Sequence, residues 1–362
     1  MKKEMKIFEL EEKYWTFQKN INLYEYIIPL NLSEEKRNFI LNLKAGKKYN
    51  PIFKYKKIKL RKNYLSNLSY LEDEFKKYSS PISLLYLKLI RDDKEWINNL
   101  YKRDTPEFCE WLSELYGCPN YSLYNKALTT LKLIKLEDLT GREISSDEMK
   151  KIIFSKLREK HFDDWKIKVK NSSARISIDS VAKAITIKDD SVFNSLEIDR
   201  IIVHEVETHV LRYENGSRQK YLMFRKGFPN YLKTEEGLAI LAESKNRVLL
   251  NRDLAKYCAR LIASYICFKM DFSEMFSFIN QYLNTSDSFD VVARIKRGLK
   301  DTTHYRGFTK DQIYYSSFLQ LKNLSKKKIQ KLFVGKIGIE HLNIIDEIEG
   351  INYNIELPGW IN

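Results

Sequence analysis

Apolar residues in the first third of the chain recur at intervals of three and four. In NYLSNLSYLEDEFKKY (63–78) and SLLYLKLIRDDKEWINNLY (83–101) this spacing predicts amphipathic helices, each turning one face to a core. Asn50-Pro51, Pro81, Pro106 and Gly117-Cys118-Pro119 interrupt the pattern and divide it into short helices with tight turns. A further helix is expected over 145–162, with Ser145 or Ser146 as its cap. The texture changes over 165–190, where apolar and polar positions alternate through Ile167 and Val169, Ile176 and Ile178, then Ile185 and Ile187; β-branched residues at a period of two predict two or three short strands. Residues 195–214 return to helical spacing through Leu196, Ile198, Ile201, Ile202 and Val206, and helical patterns dominate from Thr234 to about Met270 and from Asp311 onward. The expected class is α+β: mainly helical, with a small mixed or antiparallel sheet, divided into a helical N-terminal region over 1–140 and a second region over 141–362.

With 362 residues, 43% of them hydrophobic, the chain can bury a large core. Its four cysteines, Cys109, Cys118, Cys258 and Cys267, are too few and too scattered for a disulfide framework and read as buried thiols in a reducing compartment. The opening MKKEMKIFELEEKYW lacks the apolar run of a secretion signal, and no later run reaches membrane-spanning length, so a cytoplasmic protein without a membrane partner is expected. The formal charge of +15 favours an acidic partner. Its densest source, KAGKKYNPIFKYKKIKLRK (44–62), carries nine basic and no acidic residues, interleaved with Phe53 and Tyr55. No nucleic-acid-binding signature accompanies that run, and it reads as a solvated face rather than a nucleic-acid surface.

Chemistry concentrates in RIIVHEVETHVLRYENG (200–216), which sets His204 and His209 five positions apart with Glu205 directly after the first. Zinc hydrolases often carry His-Glu-x-x-His, in which one turn brings both imidazoles to one face. Here the spacer is one residue longer. In a regular α-helix, residues five apart point about 140° away from each other. A π-bulge brings i and i+5 to one side, and such bulges cluster at functional sites. A catalytic zinc usually takes three protein ligands, and the third could come from YLKTEEGLAILAESK (231–245). There Glu235 and Glu236 are expected to open a helix capped by Thr234, where a buried carboxylate facing two imidazoles would be costly without a cation. Glu243, seven residues after Glu236 on the same face, could accept a hydrogen bond from a ligand imidazole.

Taken together, HEVETHVLR, ENG and TEEGLAIL resemble the metallopeptidase family of the microtubule-associated tyrosine carboxypeptidases and the bacterial proteins with a QEGLA motif. NPIFKY, PEFCEWLSELYGCPNYSLYNKAL and RGFTKDQIYYSSFLQL follow in the expected order, so the likeness covers roughly residues 50–345. The resemblance implies a zincin-like core and a bacterial-type relative. It also implies one zinc ion held by His204, His209 and Glu236, with Glu205 as general acid/base. Two departures stand out. Glu235 replaces the first residue of QEGLA, a change expected to touch nothing essential, and the stretch after Lys310-Asp311 reads Tyr314-Tyr315-Ser316-Ser317, in a part that would help form the substrate pocket.

The implied activity is removal of a C-terminal residue, tyrosine or another, from a peptide or protein tail, with an acidic tail, such as that of tubulin for the eukaryotic relatives, as one candidate. A carboxypeptidase needs a cation for the terminal carboxylate, and bidentate arginine is the usual solution. Candidates are Arg175, Arg294, Arg297 and Arg306, with Lys310 and Tyr314 as further substrate-binding residues. A zinc endopeptidase or aminopeptidase would use the same ligands, and a basic nucleic-acid-binding protein with a structural metal is the alternative outside enzymes. His161, His304 and His341 have no partner motif and read as structural, although His304, beside YRGFTKD, could line a pocket.

Overall fold

Side-chain caps and prolines fix where three of the N-terminal helices begin. Among the described residues this part of the chain forms six α-helices: α1 (Lys2–Gln18), α2 (Leu32–Lys44), α3 (Tyr64–Phe75), α4 (Pro81–Leu100), α5 (Pro106–Tyr116) and α6 (Tyr121–Leu133). At α4 the Ser80 hydroxyl accepts from the Ser83 amide and Pro81 takes the first helical position, where no donor is needed. At α6 the Asn120 side chain accepts from the Leu123 amide at 2.8 Å. Gly117 ends α5 at φ 79°, a left-handed conformation that glycine adopts without strain. The structure, a computed structural model, describes residues 2–19, 21–61, 63–137, 140–172, 174–180 and 182–361.

The basic segment between α2 and α3 runs extended, and its last residue, Lys62, lies outside the described residues. Phe53 is fully buried and the Tyr55 hydroxyl donates to the Leu299 carbonyl, so both aromatic rings are committed to the interior. Lys48 pairs with Asp271 and Glu274, and Lys56 with Glu25. The aromatics here do not offer stacking platforms.

The strands follow the period-two pattern. β1 (Glu143–Ser145) leads into α7 (Ser146–Glu159), which Ser145 caps by accepting from the Glu148 amide. Next come β2 (Lys166–Lys170), β3 (Ile176–Asp179), β4 (Ala184–Lys188) and β5 (Val192–Asn194). β4 is the centre of a mixed sheet, parallel to β2 with Ile167 opposite Ile185 and antiparallel to β3 with Ile178 opposite Ile185. Ile185 and Ile187 are fully buried, as a central strand requires, while β3 is left at an edge. β5 pairs separately with β1.

A continuous helical segment follows: α8 (Ile198–Ile201), a π-helical stretch over Ile202–Val210, and α9 (Leu211–Ser217), with helical dihedrals maintained at both junctions. Beyond it lie α10 (Met223–Lys226), α11 (Tyr231–Lys245), α12 (Asn251–Ile266), α13 (Phe272–Ile279), α14 (Thr285–Ile295), α15 (Ile313–Leu321) and α16 (Lys326–Leu332). The molecule is mainly helical with a small sheet, the expected α+β class. Its main apolar cluster includes Leu10 and Tyr86 from the first region and Val206, Ile262 and Ile337 from the second.

α11 begins earlier than expected. Asn230, in a left-handed conformation, precedes it, and Thr234 sits inside the helix with its hydroxyl accepting from the Ile339 amide. Glu235 and Glu236 therefore lie in the second turn rather than at the start. α11 packs against the π-helical stretch on one side and against α15 on another. The α15 contact requires Gly237, because a Cβ there would meet Ser317 Cβ and Leu321 Cδ1 at 2.7 Å. Among the described residues no helix is long and apolar enough to cross a membrane.

Candidate active site

The extra residue between the two histidines is absorbed by the nine-residue π-helix. Slower rotation per residue turns His204 and His209 to the same side, with ring centroids 4.9 Å apart. The buried Thr208 hydroxyl donates to the Val203 carbonyl, five residues back, giving that carbonyl a side-chain partner within the distorted turns. From the facing α11, Glu236 reaches the same point, its Oε2 3.8 Å from His204 Nε2. One ligand atom from each of His204, His209 and Glu236 lies within 4.8 Å of the others. Two imidazoles and a carboxylate at such separations form a donor set that could hold a divalent metal ion.

Each imidazole is oriented by a buried carboxylate. His204 Nδ1 lies 2.6 Å from Glu243 Oε1, which is also 3.3 Å from Arg200; Arg200 in turn pairs with Asp253 at 3.0 Å. His209 Nδ1 lies 3.0 Å from Glu235 Oε1. Glu235 also binds the fully buried Arg212, whose guanidinium is held by the carbonyls of Leu332 and Ile337. Lys336 stands 3.7 Å from the same carboxylate and donates to the Ser180 hydroxyl. A carboxylate only accepts, so the Nδ1 atoms are the donors and Nε2 is left as the unprotonated, ligating nitrogen.

Glu235 therefore does not fit the expectation that its replacement of the motif's first residue touches nothing essential. Its charge is tolerated because two cations were buried with it. Although burial opposes ionisation, Arg212, Lys336 and His209 hold the Glu235 carboxyl well below the usual range. At His204 burial opposes the charged form, but Glu243 outweighs it and lifts the imidazole to about 9. The surroundings of the His204 ring thus favour positive charge.

These groups open onto a cavity of about 700 Å³. Glu205 lines it, as do Ile176, Ser177 and Ile178 from the edge strand β3. The proposed substrate residues separate into two groups. Arg175, Arg294, Arg297 and Tyr314 line the cavity; Arg306 and Lys310 do not, Lys310 lying over the Tyr24 ring instead. Arg175 is engaged by Glu197 at 3.0 Å and stacks on Phe193, and Arg294 is held by both oxygens of Asp311. Tyr314 stacks on Tyr257, their planes 4° apart.

Of the other histidines, His304 is not among the cavity-lining residues and uses its carbonyl to accept from the buried Lys296. The buried His341 accepts from the Gly338 amide, and His161 is an exposed residue just beyond the end of α7. Sequence reading passed over Arg200, Arg212, Arg260 and Lys336. A signal existed for the first two: Arg200 precedes His204 by four and Arg212 follows His209 by three, spacings that share a helix face. Arg260 and Lys336 lie on distant segments without a local signal.

A family model described as microtubule-associated tyrosine carboxypeptidase matches residues 41–360. The chain is similar to the mouse putative tyrosine carboxypeptidase MATCAP2, 28% identical over 174 residues, which is 46% of this chain and 33% of the mouse protein. It is also similar to the rat microtubule-associated tyrosine carboxypeptidase 1, 31% identical over 131 residues, 34% of this chain and 27% of the rat protein. The matched stretches thus span about a third of those relatives' length.

Proposed function

Because the chain belongs to the microtubule-associated tyrosine carboxypeptidase family, we propose that it is a zinc-dependent carboxypeptidase that removes the last residue, tyrosine or another, from a peptide or protein tail. The observation that carries this reading is the convergence of His204, His209 and Glu236 to within 4.8 Å at the wall of a cavity that Glu205 also lines. Those three residues would hold the ion. When bound, zinc supplies a Lewis acid that polarises the scissile carbonyl and lowers the pKa of water toward neutrality.

The chain's own residues do the rest. Glu205 sits next to a ligand on the same helical stretch, where its carboxylate can take a proton from the attacking water and deliver it to the departing amine. Glu243 and Glu235 fix the tautomer and the tilt of the two imidazoles, so no reorientation is needed during turnover. The exposed edge of β3 offers backbone groups to an extended chain, and its residues 176–178 are at the cavity wall. An overall charge of +15 draws acidic tails toward the cleft.

The test has two parts. Mass spectrometry of the purified protein should find one zinc per chain, and incubation with a peptide library should shorten C-termini. Glu205→Gln should retain the zinc and lose at least about two orders of magnitude in rate, the usual contribution of a positioned acid/base. Full activity in that variant, or a protein that binds no zinc and cleaves nothing, would overturn the proposal. Cleavage of peptides whose C-terminus is blocked would reassign the chain to endo- or aminopeptidases.

A further inference from the structure

A second, smaller cavity of about 270 Å³ lies outside the active site, and it shares no lining residue with the larger one. One wall is a face of α1, along which Glu12, Trp15, Thr16 and Lys19 follow at helical spacing. The start of α10 supplies another wall through Leu222, Arg225 and Lys226, while Lys183, just ahead of β4, and Tyr213 of α9 complete the lining. The recess therefore sits where the N-terminal helices meet the second region. Its apolar parts are pinned. The Trp15 indole donates to the Tyr86 hydroxyl at 2.7 Å, Tyr213 packs edge-on against Trp165, and the Leu222 amide donates to Glu11, which ties α10 to α1.

Four cations line this recess against one carboxylate, Glu12. Lys183 is already engaged, pairing with Asp164 and Glu214 and lying over the Tyr213 ring. Lys19, Arg225 and Lys226 make neither an ion pair nor a side-chain hydrogen bond among the described residues, and Arg225 Nε is buried without a partner. Buried cations elsewhere are answered: Arg212 by Glu235, and Lys296 by the carbonyls of Met270, His304 and Arg306. Glu12 is exposed and pairs with none of the three among the described residues. Burial, reinforced by repulsion from Arg225 and Lys19, pulls the Lys226 ammonium down to about 8. Like charges held together in a recess are costly unless an anion shares them.

We propose that this recess binds inorganic phosphate or a phosphate monoester, held by Arg225 and Lys226 with the exposed Lys19 at its mouth. Three free cations set against Glu12 leave two positive charges unanswered, which suits a phosphate close to its dianionic form better than a single carboxylate. A guanidinium presents two parallel donors to phosphate oxygens, and an ammonium adds a compact point charge. Trp15 and Tyr213 set aromatic surface in the same lining, where an ester carrying a flat ring can rest it. The site needs neither zinc nor peptide, and it stands apart from the carboxypeptidase reading.

Binding is measured by titration calorimetry on the zinc-loaded full chain in phosphate-free buffer, with inorganic phosphate, ribose 5-phosphate and AMP as probes. The parent should bind at least one of them, and saturation should raise its melting temperature. Arg225→Gln and Lys226→Gln should each raise the Kd by at least about tenfold, the scale of one lost charge-assisted hydrogen bond. Glu12→Gln, which removes the opposing acid, should lower it. Without ligand, Arg225→Gln and Lys226→Gln should melt at or above the parent's temperature, because each relieves repulsion; lost binding is then not lost folding. AMP binding several-fold tighter than ribose 5-phosphate identifies a nucleotide as the occupant, whereas equal binding of all three probes identifies the phosphate group alone.

Phosphate also suits the arginines of the larger cavity, so Arg297→Gln is the control. Binding that persists unchanged in both Arg225→Gln and Lys226→Gln overturns the proposal, and its loss in Arg297→Gln would then place the anion in the active site. A parent protein that binds none of the three probes at millimolar concentration overturns it as well, and leaves the zinc site and its chemistry untouched.

Discussion

Glu235 shows how one residue can look replaceable in sequence and be committed in the structure. It accepts from His209 and from Arg212, and it answers the charge of Lys336. Removing it would strand a buried guanidinium and release an imidazole that must keep its orientation. Glu235→Ala is expected to weaken zinc binding by about 10- to 100-fold, measured by competition with a chelator, whereas Glu235→Gln, whose side-chain carbonyl can still accept from His209 Nδ1, should lose less. Glu243→Ala should act on His204 in the same way and also free Arg200. A metal affinity unchanged in both alanine variants would show that the carboxylates orient nothing.

Among the elements, the π-helix and α11 decide the site between them. The histidine spacing made a local distortion necessary, since two imidazoles five apart cannot converge from a regular helix. That it extends over nine residues could not be read from the spacing. α11 brings Glu236 only because its next residue has no side chain, which lets α15 approach and carry Tyr314 to the cavity wall. Gly237→Ala is expected to destabilise the protein by roughly 1–3 kcal/mol through overpacking and to displace Tyr314. A lower melting temperature with a raised KM on the free-acid peptide would report both effects. An unchanged melting temperature would mean that the two helices can part without cost.

For the whole molecule, buried acids outside the site govern how stability varies with pH. Glu11, under the Tyr86 hydroxyl, and Asp93, under that of Tyr14, join α1 to α4, and burial raises each to about 7. Each carboxyl is protonated more readily folded than unfolded, so its stabilisation is complete in mild acid, below the unfolded value, and is lost as pH rises through about 7. Urea unfolding of the parent should therefore show declining stability between pH 5 and 8. Glu11→Gln and Asp93→Asn should flatten that decline, by on the order of 1–3 kcal/mol each; parallel curves would contradict the assignment. Asp311 works in the opposite sense: its arginines hold it well below the usual range, and its contribution disappears only in strong acid. The sequence alone specified the class of fold, the strands β2 to β4, the proline and glycine breaks, and a histidine pair five apart that demanded a distorted helix. It did not announce β1 and β5, and the choice of Glu236 and Glu205 came from the family resemblance rather than from spacing. The periods of strand, helix and histidine pair span two to five residues, and the physics of a single helix or strand reads them directly. Only the tertiary structure decided which arginines are already neutralised by Asp311 or Glu197 and which remain unpaired. Charge compensation is settled between segments far apart in the chain, and no local period records it.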